Sequence, residues 1–459
     1  MTAVRAPRRA ASRRGASPRA GALALAVAVV LADSSIVILA LPEILAEYDV
    51  TVARVAWVLT AYNLVLALAA VPAAYLARRT GPGPVLAAGL VLFAVASAGC
   101  ALAPGLDWLI AARCAQALGG AAVVSAALEV MPAVLGSEAR AGRVWAAAGA
   151  LGLALGPAVG GALTQLISWQ AIFVAQTPVI VLAGAVVGTA TAPVRTPAGR
   201  PHLAANLALL LVSAALTAAL FLLVLLLING WNLAPIAAAA TVSVMPVAAI
   251  AAGGLRVLRG SPAARAAAGT LALAGGLAAL GLMPRAGVAW TIPPQVLVGV
   301  GLGLAVGALT ESALTGRSPQ ALHGGWTMAS RHAGVVLGIL LLTPVFVADL
   351  ARQEDRAQNA VTALLLDAPI APGTKIELAR AGAEVLARSE GRVPDLAPAF
   401  AAVTPQEDDR DDYRLLERRL DEQLETAGTA SVARSFLAAA LFALAALVPI
   451  LIARGRVRL

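Results

Sequence analysis

Acid is scarce along most of this chain. Of its 25 Asp and Glu residues, 16 lie between Leu350 and Ala433, and the others are Asp33, Glu43, Glu47, Asp49, Asp107, Glu129, Glu138, Glu311 and Asp349. Aromatics make up 4% and charged residues 13% of the 459 positions, against 60% hydrophobic residues and a mean hydropathy of +0.84. That balance excludes an ordinary soluble enzyme. Lysine is represented by Lys375 alone, so the net charge of +9 is carried by arginine, in short clusters between apolar runs. No basic or aromatic stripe accompanies them, which argues against nucleic acid as a partner. The two cysteines, Cys100 and Cys114, have neither CxxC spacing nor a histidine beside them. They read as packing residues rather than as a disulfide or metal site. No nucleophile-plus-base set, metal-ligand cluster or phosphate loop is present, so no catalytic residue, metal or cofactor is expected.

What the chain has is long apolar runs. A bilayer core of about 30 Å needs roughly 20 apolar helical residues, because backbone groups in lipid must bond within their own segment. Twelve segments pass that test, near 21–42, 54–77, 84–104, 107–135, 143–165, 170–192, 203–228, 233–255, 265–284, 289–315, 325–349 and 434–454. The expected fold is an all-α integral membrane protein in two six-helix bundles. Residues 21–192 form the first; 203–349 with 434–454 form the second. A basic tail (1–20), a linker (193–202), a loop or cap (350–433) and a short tail (455–459) complete the organisation.

Arginine sets the orientation, since Lys and Arg are retained on the cytoplasmic side of short loops. Alternate connections carry Arg78 and Arg79, Arg140 and Arg143, Arg195 and Arg200, Arg256, Arg259 and Arg265, then Arg317; the N-terminal 20 residues hold six arginines and the C-terminus three. The opposite connections are nearly free of them. Both termini are therefore expected in the cytoplasm of a multi-pass protein of the plasma membrane, with 350–433 outside. In that outer segment Val361, Leu364 and Leu365, and Tyr413, Leu416, Leu420 and Leu424, recur at helical spacing among 16 acids and ten bases. This predicts a small salt-laced helical cap.

Ionisable side chains at bilayer depth cost at least about 2.5–3.5 kcal/mol on insertion scales, so each is a functional candidate. They are Asp33, Arg113, Glu129, Glu311, Arg331 and His332. Asp33 and Arg113 differ in expected depth by about 6 Å, within an arginine's reach, and burial of a carboxyl beside a breakable cation suits proton exchange. A static pair that fixes helix register is the alternative. Glu129 and Glu311 occupy the same ends of spans six helices apart, with Arg78, Arg79 or Arg143 in reach of the first and Arg331 of the second. They are candidates for cytoplasmic gate pairs, and side chains that snorkel to the interface without a gating role are the alternative. His332 reads as a satisfied structural histidine. In the fifth span, Gly152, Gly156, Gly160 and Gly161 around Pro157 form a smooth face for close helix approach, with a proline that permits bending.

Together these residues resemble the major facilitator superfamily, most closely its drug/proton antiporter branch. Gly152, Gly156, Pro157, Gly160 and Gly161 resemble the antiporter motif of the fifth helix. Arg113, Gln116, Gly119 and Ala121 resemble the fourth-helix motif, and Asp33, Ser35, Ala40, Leu41 and Pro42 the first-helix signature. Trp57, Thr60, Ala61 and Tyr62 resemble the start of the second helix. The loop Ala74 to Pro84 keeps Leu76 and Gly81 but has Arg78 where the family places an aspartate. The branch also commonly has fourteen helices rather than twelve.

The resemblance implies a secondary transporter, with Arg113 in proton coupling and export of a small amphipathic or drug-like compound by alternating access. The proton gradient is then the energy source, in place of a cofactor. Substrate, protons and bilayer are the expected partners, and a monomer the expected state. Two other readings fit the same residues: a uniporter or importer of a small metabolite, favoured by Arg78, and a non-transporting membrane protein whose cap binds a partner or lipid.

Overall fold

Glycine and proline cut the apolar runs into helices. After the second helix, Gly81 takes φ 101°, a region that favours a residue without a side chain, and Pro82 opens the next helix one residue later. Gly136, at φ 70°, closes the fourth helix in the same way, and Ser137 begins the fifth by accepting from the Arg140 N–H.

The computed structural model describes residues 18–187, 199–254, 260–284, 286–317, 319–388 and 396–456. Most of the basic tail, residues 193–198 of the linker, Arg195, Arg256, Arg259, Arg285 and the last three residues lie outside them. Among the described residues eleven helices are long and apolar enough to cross a membrane, and the shorter apolar helix Ala171–Val187 brings the total to twelve. No strand occurs among the described residues.

We number the helices along the chain. The first half comprises α1 (Pro18–Glu47), α2 (Val52–Thr80), α3 (Pro82–Ala101), α4 (Leu106–Leu135), α5 (Glu138–Leu166) and α6 (Ala171–Val187). The second begins with α7 (Leu203–Gly230), α8 (Pro235–Gly253), α9 (Pro262–Gly281) and α10 (Val288–Leu314). Two of these are irregular: α7 ends in a π-helical turn, Leu226–Gly230, and α8 is interrupted at Ser243.

The eleventh span does not stop at residue 349. α11 runs unbroken from Gln320 to Asp367 and carries the chain directly into the cap. There α12 (Pro372–Arg388) and α13 (Ala397–Ala402) follow, and α14 (Arg410–Ala453) starts in the cap and returns as the twelfth span. Sequence periodicity could not show this continuity, because hydropathy falls at Asp349 while helix propensity does not. The cap has its own core, in which Tyr413, Leu416, Leu420 and Leu424 pack with Leu378, Phe400 and the partly buried Val361, Leu364 and Leu365.

Close helix contacts recur in both halves. An added Cβ would overlap the facing backbone at Gly152 (against Ala28) and Gly160 (against Ile36), where α5 meets α1, and at Gly334 (against Leu210) and Gly338 (against Ala214), where α11 meets α7. Gly89 and Gly119 join α3 to α4 as Gly269 and Gly301 join α9 to α10. Gly299 and Gly303 press α10 onto α8 at Met245 and Ala249, which fits helix packing rather than a phosphate loop. The halves meet along two seams, α2 with α11 and α5 with α8.

Candidate functional site

The polar centre of the first half is built from side chains that the bilayer would otherwise penalise. Asp33 of α1 and Arg113 of α4 are both fully buried and form an ion pair. Asp33 Oδ1 also accepts from Gln176 Nε2 at 2.7 Å. Arg113 Nη1 donates to Gln116 Oε1 at 2.6 Å, and Gln116 Nε2 donates to Ser97 Oγ at 2.8 Å and Gln176 Oε1 at 2.9 Å. The result is a closed ring, Asp33–Arg113–Gln116–Gln176, drawn from α1, α4 and α6. The guanidinium also lies 4.0 Å from the centroid of the Tyr62 ring, and Tyr62 Oη donates to the Val30 carbonyl. Arg113 Nη2 has no hydrogen-bond partner among the described residues, so the network is not fully satisfied.

Depth and charge alone anticipate Asp33 beside Arg113. Gln176, Ser97 and Asn63 do not stand out in a search for ionisable groups. A search for uncharged amides inside spans would have found Gln176 and Asn63, because a buried carboxamide also needs partners.

Helix α1 is held from the other side by the glycine face of α5. A Cβ at Gly156 would overlap Ser35 Oγ, and Ser35 Oγ itself donates to the Leu153 carbonyl at 3.2 Å. Pro157 is buried beside this face. Gly161 points the opposite way: a Cβ there would lie 2.4–2.9 Å from Ala239 and the Pro235 carbonyl, at the seam with α8. One helix thus touches both the acidic helix and the second half. Gly119 performs the equivalent close packing between α4 and α3, 2.6 Å from the Phe93 nitrogen by the same measure.

A second link joins the halves. His332 Nδ1 of α11 is 2.7 Å from Asn63 Oδ1 of α2, and Ser34 Oγ, next to Asp33, donates to the same oxygen at 3.4 Å. Arg331, adjacent to His332, has no ion pair among the described residues.

The gate candidates separate. Glu129 lies close to the Ala321 backbone across the seam between halves, within range of the Arg78 charge. Glu311 pairs with Arg265 at 2.6 Å, within the second half, rather than with Arg331. The helix packing explains this partner: α9 packs against α10, so Arg265 reaches Glu311 from the start of the neighbouring helix, whereas Arg331 lies about 16 Å along α11 from Gln320 at 1.5 Å per residue. Arg79 stacks on and donates to Tyr75, and Arg143 is exposed. Gly81 supplies the left-handed turn described above.

Other acids also have assigned places. Asp107 pairs with Arg54 at 2.6 Å, and Glu47 accepts from Trp169 Nε1, both at the cap end of the bundle. Asp349, where α11 leaves the span, is buried and paired with Arg352 and Arg434, tying α11 to α14 at the base of the cap.

Comparison with known proteins places this arrangement. The chain is 33% identical over 162 residues to the multidrug efflux pump LfrA of Mycolicibacterium smegmatis, covering 34% of this chain and 32% of that one. Over 233 residues it is 30% identical to the methylenomycin A resistance protein of Streptomyces coelicolor, covering 50% and 48%. The alignments therefore span about a third to a half of the curated relatives' length. Among solved structures, a bacterial homolog of the human lysosomal transporter Spinster, inward-facing and occupied, superposes with a TM-score of 0.64 at 17% identity over 96% of this chain and 98% of that one. The D-xylose-proton symporter gives 0.55 at 12% identity over 69% and 87%; at such identities the likeness concerns the fold. The family model for the Major Facilitator Superfamily matches residues 23–343, more than half of the sequence. By that match and by its twelve-helix fold, the chain belongs to the Major Facilitator Superfamily, a family of membrane transporters and not of enzymes.

Proposed function

We propose that this transporter exports a small amphipathic or drug-like compound in exchange for protons, by alternating access of its two halves. It resides in a bacterial plasma membrane with both termini cytoplasmic and the cap outside. The observation that carries the reading is the buried Asp33–Arg113 pair in its ring of carboxamides. A proton on Asp33 removes the charge that holds Arg113, and the guanidinium must then turn to other acceptors. Because α1 is gripped by the glycine face of α5, and α5 touches α8 through Gly161, a shift of α1 can reach the seam between halves.

Orientation follows the arginine asymmetry, with Arg78, Arg79, Arg140, Arg143, Arg200, Arg265 and Arg317 at the ends of helices remote from the acid-rich cap. Substrate charge follows from what is left over in the interior. Asp33 is matched by Arg113, while Arg331 has no carboxylate partner among the described residues, so neutral or acidic amphipathic compounds suit this interior better than lipophilic cations.

Proteoliposomes with an imposed pH gradient test the reading. Addition of a transported compound to one side is expected to move lumenal pH in the wild type and not in Asp33→Asn. Substrate flux with no proton movement would instead favour a uniporter, the reading that Arg78 also supports.

A further inference from the structure

The cap does more than cover the bundle. Between the extended parts of α11 and α14, the helix α12 and the end of α7 lies a cavity of about 770 Å3. This is within the range of roughly 300–1,000 Å3 that encloses a drug-sized ligand. The cap's outer surface is dense in charge, yet among the described residues none that lines the cavity is charged; its walls include Leu365, Leu378, Phe400, Leu420 and Leu424. Val52, at the start of α2, also lines it, so the cavity reaches the rim between the two halves.

One polar group at its floor stands out. Asn229 lies in the π-helical turn of α7, is 9% exposed, and its Oδ1 has no hydrogen-bond partner among the described residues. Two hydroxyls that line the same space are already committed, Thr362 Oγ1 to the Gln358 carbonyl and Ser431 Oγ to the Gly428 carbonyl. A buried carbonyl oxygen without a donor is costly, and π-helical turns recur at functional sites. An ionised ligand would lose its hydration here with no counter-charge among the described wall residues.

We propose that this cavity is a binding site for a neutral, mainly apolar molecule that offers one hydrogen-bond donor, a hydroxyl or N–H, to Asn229 Oδ1. Two sources share this chemistry: a neutral lipid of the surrounding bilayer, or a compound on its way out. The site stands apart from Asp33 and does not depend on proton coupling.

The test uses the full chain in nanodiscs and three photoreactive C16 probes carrying a diazirine: an alcohol, a carboxylate and a trimethylammonium. Adducts are mapped by peptide mass spectrometry. The alcohol is expected to label residues 357–366 and 378–383 at least tenfold above either charged probe. Gly382→Trp, whose new side chain starts in open space, is expected to lower that labelling tenfold; Ala427→Phe is the second filling variant should the first not fold. Asn229→Leu is expected to reduce alcohol labelling at least fivefold and leave a C16 hydrocarbon probe unchanged. Competition by unlabelled monoacylglycerol assigns the lipid source, and competition by a neutral efflux compound alone assigns the exported one. Equal labelling by all head groups, labelling unmoved by the filling variants, or competition by neither compound overturns the proposal.

Discussion

The Asp33–Arg113 pair can be separated experimentally into a structural and a coupling contribution. Asp33 accepts from two donors, Arg113 Nη1 and Gln176 Nε2, whereas an asparagine has one acceptor oxygen. Turning Gln176 over to offer its oxygen places its nitrogen against Gln116 Nε2, and turning Gln116 over in response places a nitrogen against Arg113. Every arrangement of the ring leaves one donor facing another, beside an uncompensated buried cation. Both partners are fully buried, so loss of one side is expected to cost about 3–5 kcal/mol. The double variant Asp33→Leu with Arg113→Leu removes both charges and is expected to regain most of that stability. It should nevertheless show no proton-coupled transport. Unfolding in mixed micelles measures the first quantity and proton flux in proteoliposomes the second. A loss of less than about 1 kcal/mol in Asp33→Asn would refute the structural contribution, and proton movement with substrate in the double variant would refute the role of the buried charges in coupling.

Further outcomes follow from the same contacts. Gly156→Ala should separate α1 from α5, cost about 1–3 kcal/mol and depress transport, whereas Gly307→Ala, in open space inside α10, should be neutral or stabilising by up to about 1 kcal/mol in the same unfolding assay. A double-mutant cycle on Asn63 and His332 should show coupling of about 0.5–1.5 kcal/mol and altered cysteine accessibility along the α2–α11 seam; additive effects would remove the link. Arg265→Gln should change stability by no more than about 1 kcal/mol, because its pair with Glu311 is partly exposed; a larger loss would show that the pair is more than a surface bridge. His202 caps α7 by accepting from the Ala205 N–H, and burial, aided by the Arg317 charge, lowers its pKa below the ordinary 6.5. The unfolded chain then binds the proton more readily, so stability should fall as pH drops below about 6.5 and be unaffected above it. In His202→Asn, which keeps a capping side chain, that part of the slope in pH-dependent thermal unfolding should disappear.

Local chemistry settled much in advance. Apolar runs of sufficient length determine twelve spans, because a bilayer accepts a backbone only when its hydrogen bonds are internal. Alternation of arginine-bearing loops marks one end of the bundle. The cost of burying charge singled out Asp33 and Arg113, and residue size alone identified Gly152, Gly156 and Gly160 as a face for close approach. Apolar spacing in the segment after residue 350 likewise picked Tyr413, Leu416, Leu420 and Leu424, which the cap's core contains.

Packing decided the rest. Glu311 meets Arg265 and not Arg331 because α9, not α11, lies along its face of α10. Gln176 completes the ring around Asp33 although 143 residues separate the two, and no period in either helix encodes that meeting. His332 reaches Asn63 across 269 residues for the same reason. The cavity under the cap exists because α11 and α14 continue beyond their apolar spans as single helices and α12 lies across them as a further wall. Spans and the charges worth watching are properties of short stretches and their solvent. Pairings between stretches depend on which helix faces lie against one another, and only the assembled fold fixes that.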